Sequence, residues 1–98
     1  MKTVLVRYTT HATQAAENEA LIHAVFDELR ASAPAGLHYS TFKLPDGASF
    51  VHLATIDTPD GTNPLVTLDA FKRFQQGLPQ RCLEPPVASD LVLVDSFG

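Results

Sequence analysis

Three side chains within the stretch Gly36 to Asp57, GLHYSTFKLPDGASFVHLATID, could do chemistry together: His38, Ser40 and His52. Imidazole titrates near neutrality, so two histidines in an apolar pocket floor could take the proton of a phenol-like substrate or hold its oxyanion. His52 is the better base, because it falls in mid-strand, whereas His38 lies near a strand start. Ser40 and Tyr39 could orient the substrate oxygen, Phe42 and Phe50 could line the pocket, and Asn18 could point into it from a helix. Tyr8, like Tyr39, could donate to a substrate oxygen; such strand tyrosines otherwise serve as core or interface rings with the hydroxyl at the edge. The competing assignment for His38 and His52 is two imidazoles hydrogen-bonded inside a half-buried sheet or at a subunit interface.

Other chemistries find less support. A metal needs a third ligand beside the two histidines, and only Glu84 and Asp57 are even remote candidates, so no metal is expected. Cys82 has no visible activating partner and reads as a small buried residue, not a nucleophile. No glycine-rich phosphate loop is present. His11 and His23, one before a helix and the other on it, stand outside the candidate site.

The element that must position these residues is a hairpin. Leu44-Pro45-Asp46-Gly47-Ala48 reads as a bulged three-residue loop, with proline presetting φ and glycine taking the left-handed position. That loop sets Phe42 against Phe50, Ser40 against His52 and His38 against Ala54, all on one side of the sheet. A two-residue Asp46-Gly47 loop would instead set Thr41 against His52 and move His38 to the other face, since a one-residue slip inverts sidedness. The three-residue loop is the expectation.

Around the hairpin the chain reads β-α-β-β-α-β. Thr3 to Thr9, β-branched and aromatic, suits a central strand. From Thr13, a plausible N-cap, to about Ser32, apolar residues recur at helical spacing, and Pro34 and Gly36 stop the helix. Thr58 to Pro64 is a loop. Helix returns at Thr67 as N-cap, with a Val66 to Phe71 staple; Leu68, Phe71, Phe74 and Leu78 form its buried stripe, and Gly77-Pro79 ends it. Gln80 to Ser89 is held extended by Pro85-Pro86, and Leu91 to Phe97 is predicted as the last strand. This order is the split βαβ of ferredoxin-like folds: an α+β, four-stranded antiparallel sheet with two helices on one face. Strands apolar on both sides leave the other face to be covered by a second copy, so a homodimer through the sheet is expected.

At 98 residues the chain suits one domain, residues 1–98, burying roughly 60 to 70 percent of its unfolded surface. A net charge of -4, with no basic cluster beyond Lys72-Arg73, argues against nucleic acid or an anionic membrane as partner. Its charged fraction of 18% is low, which is consistent with apolar surface in an interface. The apolar run of MKTVLVRYTT is broken by Arg7 and is too short for a signal or a span; with a single cysteine, Cys82, the expected location is cytoplasmic.

With this element order, the hairpin GLHYSTFKLPDGASFVHLA and the loop and helix NPLVTLDAFKRFQQGLPQRC, nearly the whole chain resembles the dimeric α+β barrel superfamily, especially small proteins like the antibiotic biosynthesis monooxygenases. The resemblance implies a pocket between the sheet and the helices of each subunit. It also implies chemistry of the kind the better-known members perform, oxidation of aromatic polyketides or degradation of haem without a conventional cofactor, commonly involving Asn, Tyr, His and Trp. This chain has the first three and no tryptophan. Two functions follow as expectations: a cofactor-independent oxygenase for a flat, acidic aromatic substrate, or a non-catalytic dimer that binds a small aromatic ligand or none.

Overall fold

The computed structural model describes residues 1–98. Its elements are strand β1 (Lys2–Thr9), helix α1 (Ala15–Ser32), strands β2 (Leu37–Lys43) and β3 (Ser49–Ile56), helix α2 (Asp69–Gln76), the single turn α3 (Leu78–Arg81) and strand β4 (Val87–Leu91). Short 3₁₀ turns at Ala12–Gln14 and Pro64–Thr67 lead into α1 and α2. The four strands form one antiparallel sheet in the order β2-β3-β1-β4, the expected α+β ferredoxin-like arrangement. No helix is long and apolar enough to cross a membrane.

The hairpin departs from expectation in its register. Thr41, not Ser40, stands opposite His52, and Phe42 pairs with Val51. The cause is Asp46, whose Oδ1 accepts from the backbone N–H of Ala48 (2.9 Å) and Ser49 (2.8 Å) while Oδ2 accepts from the Ser49 hydroxyl (2.6 Å). These bonds draw Ser49 opposite Leu44, whose N–H donates to the Ser49 carbonyl, and the loop becomes the four residues Pro45 to Ala48. His38, Ser40 and Phe42 therefore share a face with Val51, Leu53, Leu5 and Arg7, while Tyr39 and Thr41 share the other with His52, Phe50, Tyr8 and Val6.

That second face carries the core. Tyr8 and Phe50 join Ile22 and Val25 of α1 and Leu68, Phe71, Phe74 and Leu78 of the second helical region in one buried cluster. The expected stripe of the second helix is thus buried as predicted, and burial of each such large side chain contributes about 1.5–3 kcal/mol. The caps are not those expected. Thr13 lies within the first 3₁₀ turn, and Thr67, in the second, donates its hydroxyl to the Pro64 carbonyl; Gln14 and Leu68 occupy the cap positions of α1 and α2 without side-chain bonds. Gly77 ends α2, but Pro79 sits in the first turn of α3.

The last strand also lies earlier than predicted, at Val87–Leu91. An antiparallel bridge between Thr10 and Cys82 and the bond from Leu83 N–H to Thr9 O bring the segment beside β1, and two extra residues between the bridge and Val87 shift the register before β4 begins. Pairing then runs from Val87 opposite Arg7 to Leu91 opposite Thr3, and beyond that point β1 has almost no residues left to pair. The apolar Val92, Leu93, Val94 and Phe97 are consequently exposed.

Gly36 closes the turn from α1 into β2 with φ +79, and a Cβ there would meet the Asp57 carbonyl oxygen at 2.6 Å. Gly47, in the hairpin loop, has a similar φ of +75 and open space around it. Gly47→Ala should cost about 1–2 kcal/mol from backbone strain alone, and Gly36→Ala distinctly more, because strain and collision add. Urea unfolding of both variants measures the difference.

Candidate functional site

A cavity of about 200 Å³ lies between the sheet and α2. Val4, Val6, Ala54 and Ile56 form its floor, and Leu65, Phe71, Phe74 and Leu78 its roof and far wall. Strand alternation puts the floor residues on the helix-bearing face. Asn63 lines the cavity at its margin, its Oδ1 accepting from Leu65 N–H to start the 3₁₀ turn that carries the roof into α2. Tyr8, Tyr39 and His52 form the polar end.

The polar end continues into the protein as a chain of hydrogen bonds that links six elements. Tyr39 Oη of β2 lies 2.5 Å from His52 Nδ1 of β3, with Thr41 Oγ1 at 3.3 Å from the same nitrogen. His52 Nε2 is 2.7 Å from Tyr8 Oη of β1. Asn18 of α1 donates from Nδ2 to Tyr8 Oη (2.9 Å) and accepts at Oδ1 from Arg81 Nε of α3 (3.0 Å). Arg81 Nη2 then donates to the Phe74 carbonyl in the last turn of α2 (2.8 Å), and its guanidinium lies 5.2 Å from the Phe74 ring centroid. Asn18, His52 and Arg81 are all buried, and no buried side-chain nitrogen or oxygen lacks a partner.

Arg81 is a buried cation with no carboxylate beside it. Desolvation of an unpaired ion costs several kcal/mol, and here the negative end of α2, the Asn18 carbonyl and the Phe74 ring offset it. Its position is set by the backbone, since His11 N–H donates to the Arg81 carbonyl (2.8 Å). Gly77 leaves the space for Arg81 Nη1, which a Cβ there would approach to 2.7 Å.

The other groups of the chain are neutral at pH 7. Burial lowers His52 to about 4, pushes Tyr39 up to about 12 and raises Tyr8 further still. Burial likewise raises the Cys82 thiol, which agrees with an inert residue. No group of three or more His, Cys, Asp or Glu side chains is placed to hold a metal ion.

Of the residues expected at the site, the structure brings together His52, Tyr39 and Asn18, the last through Tyr8 and not by facing the cavity. Phe50 is buried in the core and stacks on Tyr8 at 5.6 Å between ring centroids. His38, Ser40 and Phe42 lie on the opposite, helix-free face, with Phe42 56% exposed; the pairing of His38 and Ser40 with His52 fell with the three-residue loop. Sequence reasoning passed over Arg81. The available signal was spacing, because Phe71, Phe74, Leu78 and Arg81 continue one helical stripe.

No protein-family profile matches the chain, and no curated protein matches it by sequence. Solved structures do match its fold. Rv0793 from Mycobacterium tuberculosis superposes with a TM-score of 0.79 at 15% identity, over 99% of this chain and 98% of that one. An antibiotic biosynthesis monooxygenase gives 0.79 at 14% identity over 97% and 100%. SnoaB, a cofactor-independent oxygenase from Streptomyces nogalater, in its N63A mutant form, gives 0.71 at 15% identity over 97% and 94%. The chain therefore has the fold of these antibiotic biosynthesis monooxygenase-like structures.

The depressed His52 makes stability depend on pH. Between about 6.5 and about 4 the unfolded chain binds a proton at His52 that the folded chain does not, so the stability present above pH 6.5 is lost as pH falls through that window. Wild type should lose up to about 3 kcal/mol more than His52→Gln over this range, read as the difference between urea midpoints converted to free energy. Carboxylate titrations common to both proteins cancel in the comparison. Parallel pH curves would remove His52 from the account.

Proposed function

We propose that this protein is a cofactor-independent, monooxygenase-like enzyme that takes a small aromatic, phenolic substrate into the cavity between sheet and helices. The observation that carries the reading is the cavity itself, apolar on its floor and roof and polar at one end, where Tyr39 and His52 meet. A dry cavity of about 150 Å³ holds one benzene ring, so about 200 Å³ suits one ring or a compact pair. Tyr39, braced by His52, would hold the substrate oxygen as an oxyanion, its proton left to solvent on entry. An electron-rich phenolate can pass an electron to dioxygen; collapse of the radical pair at the para carbon and loss of water give a quinone. For 1-naphthol one dioxygen is consumed, one oxygen atom enters the quinone, the other leaves as water, and the substrate supplies every electron. The likeness in fold to a cofactor-independent oxygenase supports the same reaction class.

A second reading is a non-catalytic dimer binding a small aromatic ligand or none. It draws on the fact that both His52 ring nitrogens already have partners without a ligand. Oxygen consumption with 1-naphthol, with quinone formation followed by absorbance, separates the two. We expect turnover in wild type and a loss of about 10²-fold or more in His52→Ala and Tyr39→Phe, the scale of one oxyanion donor. No turnover in wild type would overturn the oxygenase reading, and a fully active His52→Ala protein would remove His52 from it.

The same proposal includes a homodimer in the cytoplasm. Leu5, Val51, Leu53 and Phe42 lie on the sheet face that carries no helix, with His38 and Ser40 among them, and a second copy is the simplest cover for an apolar patch of that kind. A single free cysteine accords with a reducing compartment. Light scattering at micromolar concentration should give the dimer mass, and Val51→Asp or Leu53→Asp should shift it toward monomer. A monomer mass for wild type throughout that range would end the dimer argument.

A further inference from the structure

We infer that Arg81 is a positioning residue that fixes the direction of every hydrogen bond from Asn18 to Tyr39, so that Tyr39 presents a hydrogen to the cavity and the site selects a ligand with an acceptor oxygen there. The steps follow from donor and acceptor capacity alone. Arginine has only donors, so the Asn18 atom beside Arg81 Nε is the carbonyl oxygen, and the amide nitrogen faces Tyr8. Tyr8 Oη accepts from that amide, which turns its own hydrogen to His52 Nε2. A neutral imidazole accepting at Nε2 carries its hydrogen on Nδ1, and that hydrogen goes to Tyr39 Oη. Thr41 Oγ1, 3.3 Å from the same nitrogen, is the longer of its two contacts; Tyr39, having accepted, keeps its own hydrogen for an acceptor, and the cavity that it lines is where a ligand can offer one in place of Thr41.

All the bonds then run head to tail away from the buried cation, Arg81 to Asn18 to Tyr8 to His52 to Tyr39. Such a chain polarises each member in the same sense and presents its positive end to the ligand. The opposite direction would leave the Tyr8 hydrogen without an acceptor, because Asn18 Nδ2 cannot accept. The ligand selected is thus a phenolate, enolate or ketone oxygen. The direction of the chain can be read without any ligand; the ligand class rests on the cavity reading proposed above.

The test is the His52 tautomer, read by ¹⁵N NMR on histidine-labelled full-length protein at pH 7. Wild type should show a pyridine-type Nε2 and a pyrrole-type Nδ1; the reverse pattern would overturn the inference. In Asn18→Asp, a carboxylate accepts from both Arg81 and Tyr8, so Tyr8 must accept from His52 and the tautomer should reverse while Arg81 stays paired. Arg81→Met frees the Asn18 amide to turn over and should allow the same reversal; if that variant does not fold, the Asn18→Asp result decides. An Asn18→Asp protein that keeps the wild-type tautomer would overturn the inference. Acetophenone, an acceptor-only probe, should bind Asn18→Asp about tenfold more weakly than wild type, one hydrogen bond's worth. Equal binding would refute the link to ligand choice. Failure of acetophenone to bind either protein would refute that link together with the cavity as a ligand site, and leave the tautomer assignment standing.

Discussion

The Asp46 carboxylate, by capturing Ser49 at both backbone and side chain, decides which residues can act together in this protein. A strand slipped by one residue turns over completely, so those bonds determine whether His52 meets Ser40 and His38 or Tyr39 and Thr41. Ser49 is itself held from the other side, its hydroxyl 2.7 Å from Thr9 Oγ1, which locks β3 to β1 at the same point. With β1 and β2 both in register against β3, Tyr8 and Tyr39 fall on either side of His52. The site is therefore a property of sheet register before it is a property of any one side chain.

Most of the fold was legible because it is written in periodicity and punctuation. Helical spacing from Ala16 to Leu29, the Leu68, Phe71, Phe74 and Leu78 stripe and the Pro-Asp-Gly turn each name an element, and their order leaves few topologies. The hairpin register was legible only as one of two, and the observed one is that of the shorter-loop alternative, because Pro-Asp-Gly is compatible with loops of several lengths and the deciding bonds come from the Asp46 side chain. The last strand was misplaced for a related reason. Leu91 to Val94 has the stronger β composition, but pairing begins at Val87 opposite Arg7 and the length of β1 sets where it stops. Composition gives the tendency to pair; the partner's length gives the extent.

Within the site, His52 and Tyr39 were legible as polar-tipped rings on the strands of the hairpin and Asn18 as a polar residue on the first helix, whereas Arg81 was hidden by the general rule that arginine is solvated. Its burial becomes intelligible only with the elements in place. The carbonyl end of α2 and the Phe74 ring supply a negative environment that no spacing in the sequence announces. The same arrangement accounts for the low His52 pKa, for burial removes water from the imidazole while the nearest hydroxyls, Tyr8 and Tyr39, are themselves held neutral.

A polar network that served only to hold a core together would close on main-chain groups at both ends, since backbone carbonyls are the plentiful buried acceptors. This one closes at the Arg81 end, on the Phe74 carbonyl, and at the other end it reaches Tyr39 on the wall of a cavity. Filling that cavity with larger apolar side chains would stabilise the protein by better packing and by removing costly polar burial. The sequence does the opposite, placing Ala54 on the floor and three polar rings at one end. Unfilled space beside an oriented row of hydrogen bonds is what the proposed ligand site requires, and under that proposal the molecule that enters must bring an oxygen able to accept.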